Sequence, residues 1–114
     1  MTAKNILSLA PPYAVEQTLK RLGNHLRTAR LRRNLTVVEV ANKIGTGRRA
    51  VLAAEKGNPS TGIAVYAALL WAFGLLDQLE QVADPLQDEE GGALARSRER
   101  VRARPSTSGL DDDF

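Results

Sequence analysis

Apolar residues recur at spacings of four and three from Val15 through Leu19, Leu22, Leu26 and Ala29, which aligns them on one face of a helix. Lys20, Arg21, Arg27, Arg30 and Arg33 fill much of the remaining circumference. Pro11-Pro12 blocks earlier continuation, so this first helix is expected from Ala14 and residues 1–13 as an extended lead-in. Asn34-Leu35 interrupts the pattern. Thr36-Val37-Val38-Glu39 then reads as a capping box, in which hydroxyl and carboxylate each satisfy an orphan amide. A second helix follows to about Lys43, with Val40, Ala41 and Ile44 inward and Gly45 as its stop. A third must start almost at once and run over roughly Arg48–Lys56, closed by Gly57. Two short helices joined by a glycine-containing turn predict helix-turn-helix geometry.

Asn58-Pro59-Ser60-Thr61-Gly62 is a loop by composition. From Ile63 to Phe73 the chain is apolar around most of the helical circumference, and Gly74 ends it. Leu75 to Ala83 predicts a fifth helix, stopped by Asp84-Pro85. Trp71, Phe73, Leu75, Leu76 and Leu79 exceed what a small core needs and are expected to form a dimer interface, completion of the core being the alternative. Beyond Leu86 apolar content falls away. The expected domain thus covers 14–85, and 86–114 is expected as a flexible charged tail that is disordered alone, with 93–103 able to become helical on a partner.

The formal net charge of +3 conceals a strong segregation. Residues 1–56 carry eleven Lys/Arg against three Asp/Glu, while 57–95 carry six acids and no base. Arginine returns at 96, 98, 100, 102 and 104, before Asp111-Asp112-Asp113. A cationic half joined to an anionic half suits a polyanion binder with a separate assembly surface. There is no cysteine and one histidine, His25, which leaves no thiolate metal site, no thiol nucleophile and no Ser–His constellation with an orienting carboxylate. No enzyme, metal or cofactor is expected. No apolar run approaches the ~20 residues needed to span a bilayer, and no signal peptide is evident. The protein is expected to be cytoplasmic.

Leu22-Gly23-Asn24-His25-Leu26-Arg27-Thr28-Ala29-Arg30, Leu35-Thr36, Val40-Ala41-Asn42-Lys43-Ile44-Gly45 and Ala54-Glu55-Lys56-Gly57 together resemble the Xre/Cro, or phage-repressor, helix-turn-helix family over residues 20–85. The fold that this implies is all-α: a five-helix lambda-repressor-like domain with a disordered C-terminal tail. Leu70-Trp71-Ala72-Phe73-Gly74-Leu75-Leu76-Asp77-Gln78-Leu79, Ala83-Asp84-Pro85 and Asp111-Asp112-Asp113-Phe114 look more narrowly like the HipB-type antitoxins. That resemblance implies a homodimer that represses its own operon at an inverted-repeat operator in double-stranded DNA. It also implies a partner, either a HipA-family serine/threonine kinase toxin or a smaller relative encoded with a third component.

The resemblance assigns roles by position. Arg30 and Glu55 match a salt bridge buried in these domains. The third helix is the reading helix, with Gly47, Arg48, Arg49, Ala50 and Ala53 at its base-contact positions. Arginine can grip guanine O6 and N7 with two hydrogen bonds, so Arg48 and Arg49 lead, phosphate contact being the alternative for each. Thr36, Thr46, Lys43 and Lys56 are expected to anchor phosphates, with Arg27, Arg32 and Arg33 extending that field. His25 is expected to be an exposed helix residue. Val37 stands where the family often has a phosphate-binding glutamine, Gly47 where it has Ser or Thr, and alanine at 50 and 53 removes two possible base contacts, so few side chains carry specificity and the operator is open to shape readout.

The tail admits two readings: its arginines extend along DNA, or Asp111, Asp112, Asp113 and Phe114 dock on the kinase. A stand-alone regulator of phage or restriction-modification type, and a helix-turn-helix module used only for protein binding, are the competing functions.

Overall fold

The computed structural model describes residues 5–103. The protein is all-α: among the described residues there are seven helices and no strand. They are α1 (Ile6–Leu9), α2 (Tyr13–Arg32), α3 (Val37–Ile44), α4 (Arg48–Glu55), α5 (Ile63–Ala72), α6 (Leu76–Glu80) and α7 (Glu89–Ala103). The chain divides into two compact units with the boundary between Glu80 and Gln81. The first holds the core: Leu26 and Ala29 of α2, Val40 and Ala41 of α3, Val51 and Ala54 of α4, and Tyr66, Leu69, Leu70 and Phe73 from α5 and its end.

Three elements depart from the expectations. The lead-in is not wholly extended, because the Asn5 side chain accepts a hydrogen bond from the Leu7 amide (2.9 Å) and starts the single turn of α1. The fifth expected helix is shorter than Leu75–Ala83. It spans Leu76–Glu80, and Ala83 adopts a left-handed conformation (φ 58°) that no α-helix accommodates. The tail expected to be disordered is helical over Glu89–Ala103. Asp88 caps it, accepting from the Gly91 amide at 3.0 Å, and Glu89 and Glu90 in the first turn with Arg100 and Arg102 in the last complement the helix dipole.

The geometry of α3 follows its sequence closely. The Thr36 hydroxyl accepts from the Glu39 amide (3.1 Å) and the Glu39 carboxylate accepts from the Thr36 amide (2.8 Å). Gly45, at φ 80°, then turns the chain out of the helix, a conformation a side chain would make costly. Thr46 and Gly47 alone separate it from α4.

What holds α4 is a joint with α2. The Arg30 guanidinium donates through Nε to Glu55 Oε2 (2.6 Å) and through Nη2 to Glu55 Oε1 (3.1 Å). Its third nitrogen, Nη1, donates to the Leu35 carbonyl (2.9 Å), tying in the α2–α3 connection. Both residues are buried, at 8% and 9% exposure. The hydrogen bond to Glu55 raises the Arg30 pKa and outweighs the opposing effect of burial, so the guanidinium stays charged.

About two turns earlier on α2 the two backbones meet directly. A Cβ on Gly23 of α2 would stand 2.5 Å from the Glu55 carbonyl oxygen and 2.7 Å from that of Ala54. Gly57, at φ 70°, presses against the Leu19 carbonyl in the same way. The Tyr66 hydroxyl donates to the Asn58 carbonyl (3.2 Å), which fixes the loop leaving α4.

Two outcomes follow for stability. Glu55→Ala strands a buried guanidinium and should cost about 3–5 kcal/mol, read as a lowered midpoint in chemical denaturation; an unchanged midpoint contradicts the joint. In an ordinary helix interior Gly→Ala stabilises by ~1 kcal/mol. Gly23→Ala should instead destabilise, because the new methyl meets backbone that cannot move aside as a side chain would, and a gain in melting temperature would contradict the close approach.

Candidate nucleic-acid interface

The exposed start of α4 is the centre of the site. Gly47, its N-cap residue, supplies no side-chain cap, so the first amides of the helix lack a side-chain acceptor. Arg48 and Arg49 follow, both exposed. On the inner side of the same helix Val51 and Ala54 are fully buried and Glu55 is paired with Arg30. One face of α4 is therefore anchored, and Arg49 lies on the side away from it, while Arg48, in line with Val51 and Glu55 at spacings of three and seven, is exposed at the leading end of the helix. Ala50 and Ala53 are half-buried and carry only a methyl group each, so they offer van der Waals contact and no hydrogen bond.

The other cationic and hydroxylic positions distribute unevenly. Arg27 and Arg32 on α2 and Lys56 after α4 are exposed, as is His25. Thr36 is exposed and Thr46 half-buried in the turn before α4. Thr36 already accepts from Glu39 through its oxygen, which leaves its O–H free to donate. Lys43 is exposed, with Nζ 5.7 Å from the centroid of the Trp71 ring, a contact that favours the ammonium over the aromatic face.

Arg33, one of the expected phosphate contacts, is engaged within the fold although it is exposed. Its Nη1 donates to the Ala29 carbonyl and its Nη2 to the Phe73 carbonyl, each at 2.9 Å, and its guanidinium carbon lies 5.5 Å from the Phe73 ring centroid. The side chain thus ties the end of α2 to the end of α5, satisfying carbonyls left over at helix termini. Nothing in the sequence separates this arginine from Arg27 or Arg32.

The expected dimer interface also changes. Phe73 is buried (4% exposed) as part of the core and has no surface to give a partner. Leu75 and Leu79 are half-buried and pack against the same core, and Leu76 is half-buried. Trp71 alone of the five is more than half exposed, at 55%, and Ile63 on the same helix, not among the expected residues, reaches 69%. A helix apolar on every side gives no phase from which to tell inward from outward positions.

Asp111, Asp112, Asp113 and Phe114 lie outside the described residues. Among the described residues no group of three or more His, Cys, Asp or Glu side chains could hold a metal ion, and no helix is long and apolar enough to cross a membrane.

The Arg33 geometry gives the side chain a structural role that unfolding measurements read. Arg33→Ala should cost about 1 kcal/mol in folding free energy, because the two helix-end carbonyls lose their donor and turn to water. Arg33→Lys should recover little, because one ammonium cannot fork to two carbonyls as the guanidinium does. Unchanged thermal unfolding of Arg33→Ala contradicts this. No family model, curated protein or solved structure matches the chain.

Proposed function

We propose that the protein is a sequence-specific DNA-binding repressor of the helix-turn-helix type, with α3 and α4 as the paired helices and α4 as the reading helix. The observation that carries this reading is the exposed Arg48-Arg49 pair on the first turn of a helix whose following turn is anchored by Val51, Ala54 and the buried Arg30–Glu55 pair. A side chain must be held rigidly to discriminate base edges. Two arginines at the leading end of such a helix fit the bidentate recognition of guanine. Arg27, Arg32, Lys43 and Lys56 add exposed positive charge for phosphate contact.

The protein acts as a two-fold dimer, with Trp71 and Ile63 among the exposed apolar residues available for self-association. In such a dimer the reading helices enter successive major grooves about 34 Å apart, which demands an inverted-repeat operator. The resemblance of residues 70–79, 83–85 and 111–114 to HipB-type antitoxins extends the proposal to a kinase toxin as protein partner. Co-purification with the products of adjoining genes tests that extension: a stable complex with a kinase fold supports it, and its absence leaves a stand-alone regulator.

Fluorescence anisotropy with duplexes from the region upstream of the gene tests the DNA reading. Arg48→Ala and Arg49→Ala should each weaken the preferred duplex by about 1–3 kcal/mol. The loss should be much smaller on a shuffled duplex. Equal losses on both sequences would reduce the two arginines to phosphate contacts, and no binding to any duplex at low salt would refute the function.

A further inference from the structure

The later part of α7, from Arg96 to Arg102, carries a local concentration of positive charge within a second unit whose sequence holds eight acids and five arginines. No residue of α7 is buried. Arg96, Arg98, Arg100 and Arg102 are all exposed, and none of them makes an ion pair among the described residues. Between Gly91 and Ala103 the one acid is Glu99. In sequence the arginines simply alternate, a pattern that says little until the helix is known.

At 3.6 residues per turn, alternate positions fall on nearly opposite sides of a helix. Arg96 and Arg100 therefore stack one turn apart along one flank, and Arg98 and Arg102 stack one turn apart along the other. Leu94, Ser97 and Val101, at spacings of three and four, form the strip between them. Glu99 falls on the side away from that strip. The result is a helix with two rows of guanidinium groups on nearly opposite flanks, bordering an uncharged face that carries the exposed Leu94 and Val101.

Two flanking rows of positive charge match a ligand with two facing rows of negative charge. A flat acidic protein surface would engage one row and leave the other in water. The major groove of B-DNA is ~12 Å wide and bordered by phosphates on both sides, and an α-helix with its side chains is ~10–12 Å across. The narrow, deep major groove of duplex RNA does not admit such an element. Like charges at i and i+4, Arg96 with Arg100 and Arg98 with Arg102, repel one another in the free helix, and phosphates on each side would relieve that repulsion.

We propose that α7 is a second DNA-binding element, which lies along a groove of the duplex and grips phosphates of both strands through Arg96, Arg98, Arg100 and Arg102 without reading bases. This stands independently of base reading by α4. Its partner is any DNA duplex, and its contribution is affinity and salt sensitivity, not sequence preference.

The test titrates the full chain with a random-sequence duplex over a range of salt concentrations. The quadruple variant Arg96→Gln, Arg98→Gln, Arg100→Gln, Arg102→Gln keeps good helix formers at all four positions. Each phosphate neutralised contributes about 0.9 to the slope of log affinity against log salt. The wild-type slope should therefore exceed that of the variant by about 3–4. The corresponding quadruple Arg→Lys variant should restore most of the difference, since an ammonium also neutralises a phosphate. The ratio of affinities for preferred and random duplexes should be the same in all three proteins.

Equal slopes for wild type and the glutamine variant overturn the proposal. So does a glutamine variant that keeps its duplex slope but loses binding to poly-glutamate, which would assign the helix to an acidic protein surface. Failure of the α4 reading is distinguishable. In that case Arg48→Ala/Arg49→Ala leaves discrimination between duplexes unchanged, while the slope still responds to the four arginines of α7.

Discussion

The architecture depends on one buried ion pair. Arg30 and Glu55 meet through two hydrogen bonds across the α2–α4 contact, and the third guanidinium nitrogen holds the Leu35 carbonyl. Burying two charges is expensive, and their mutual attraction compensates only when the geometry is good and the remaining donors are satisfied. Here the fork of arginine matches both carboxylate oxygens, and no buried side-chain nitrogen or oxygen among the described residues lacks a partner. An apolar pair of similar volume could bind the helices as strongly, but it would not dictate one angle and one register as a bidentate pair does. The close backbone approach at Gly23 and Gly57 works in the same direction, because it leaves no room for sliding.

That constraint matters because α4 has only eight residues. A helix so short has negligible stability alone, so its position is set by what it packs on. Val51 and Ala54 enter the core, Glu55 locks to Arg30, and Gly45 brings the chain into the helix after a turn of two residues. The outward Arg48 and Arg49 inherit their placement from these contacts. In the proposed function this is how a small domain with few specificity-bearing side chains could still discriminate: rigidity of presentation substitutes for number of contacts.

The readable parts of the sequence were those where local chemistry leaves one solution. Thr36 and Glu39 at capping-box spacing, Gly45 after an amphipathic stretch, and the 3–4 spacing through Leu19, Leu22, Leu26 and Ala29 each constrain the backbone directly. Other features depend on tertiary context. Arg33 differs from Arg32 by which way it points at the end of α2, and only the fold puts the Phe73 carbonyl within its reach. Phe73 and Trp71 sit on a segment apolar on all sides, so which one is buried is decided by the neighbours of α5. The helix in 89–103 was obscured by composition: two glycines and a run of arginines outweighed the quieter signal of Asp88 ahead of two glutamates. At the proposed base-reading positions, the exposure of Arg48 and Arg49 was legible, since short helices with glycine between them expose their leading turn, whereas the joint that steadies them needed coordinates for its distances.

Arginine contact with guanine leaves a chemical trace that reports the central claim directly: protection of guanine N7 from methylation by dimethyl sulfate. On an operator fragment, the account predicts protected guanines in two clusters about 10–10.5 base pairs apart, with the protection lost in Arg48→Ala or Arg49→Ala while the folded protein still binds the duplex. A footprint in which no guanine is protected, or in which the double substitution leaves the protected positions unchanged, would contradict it.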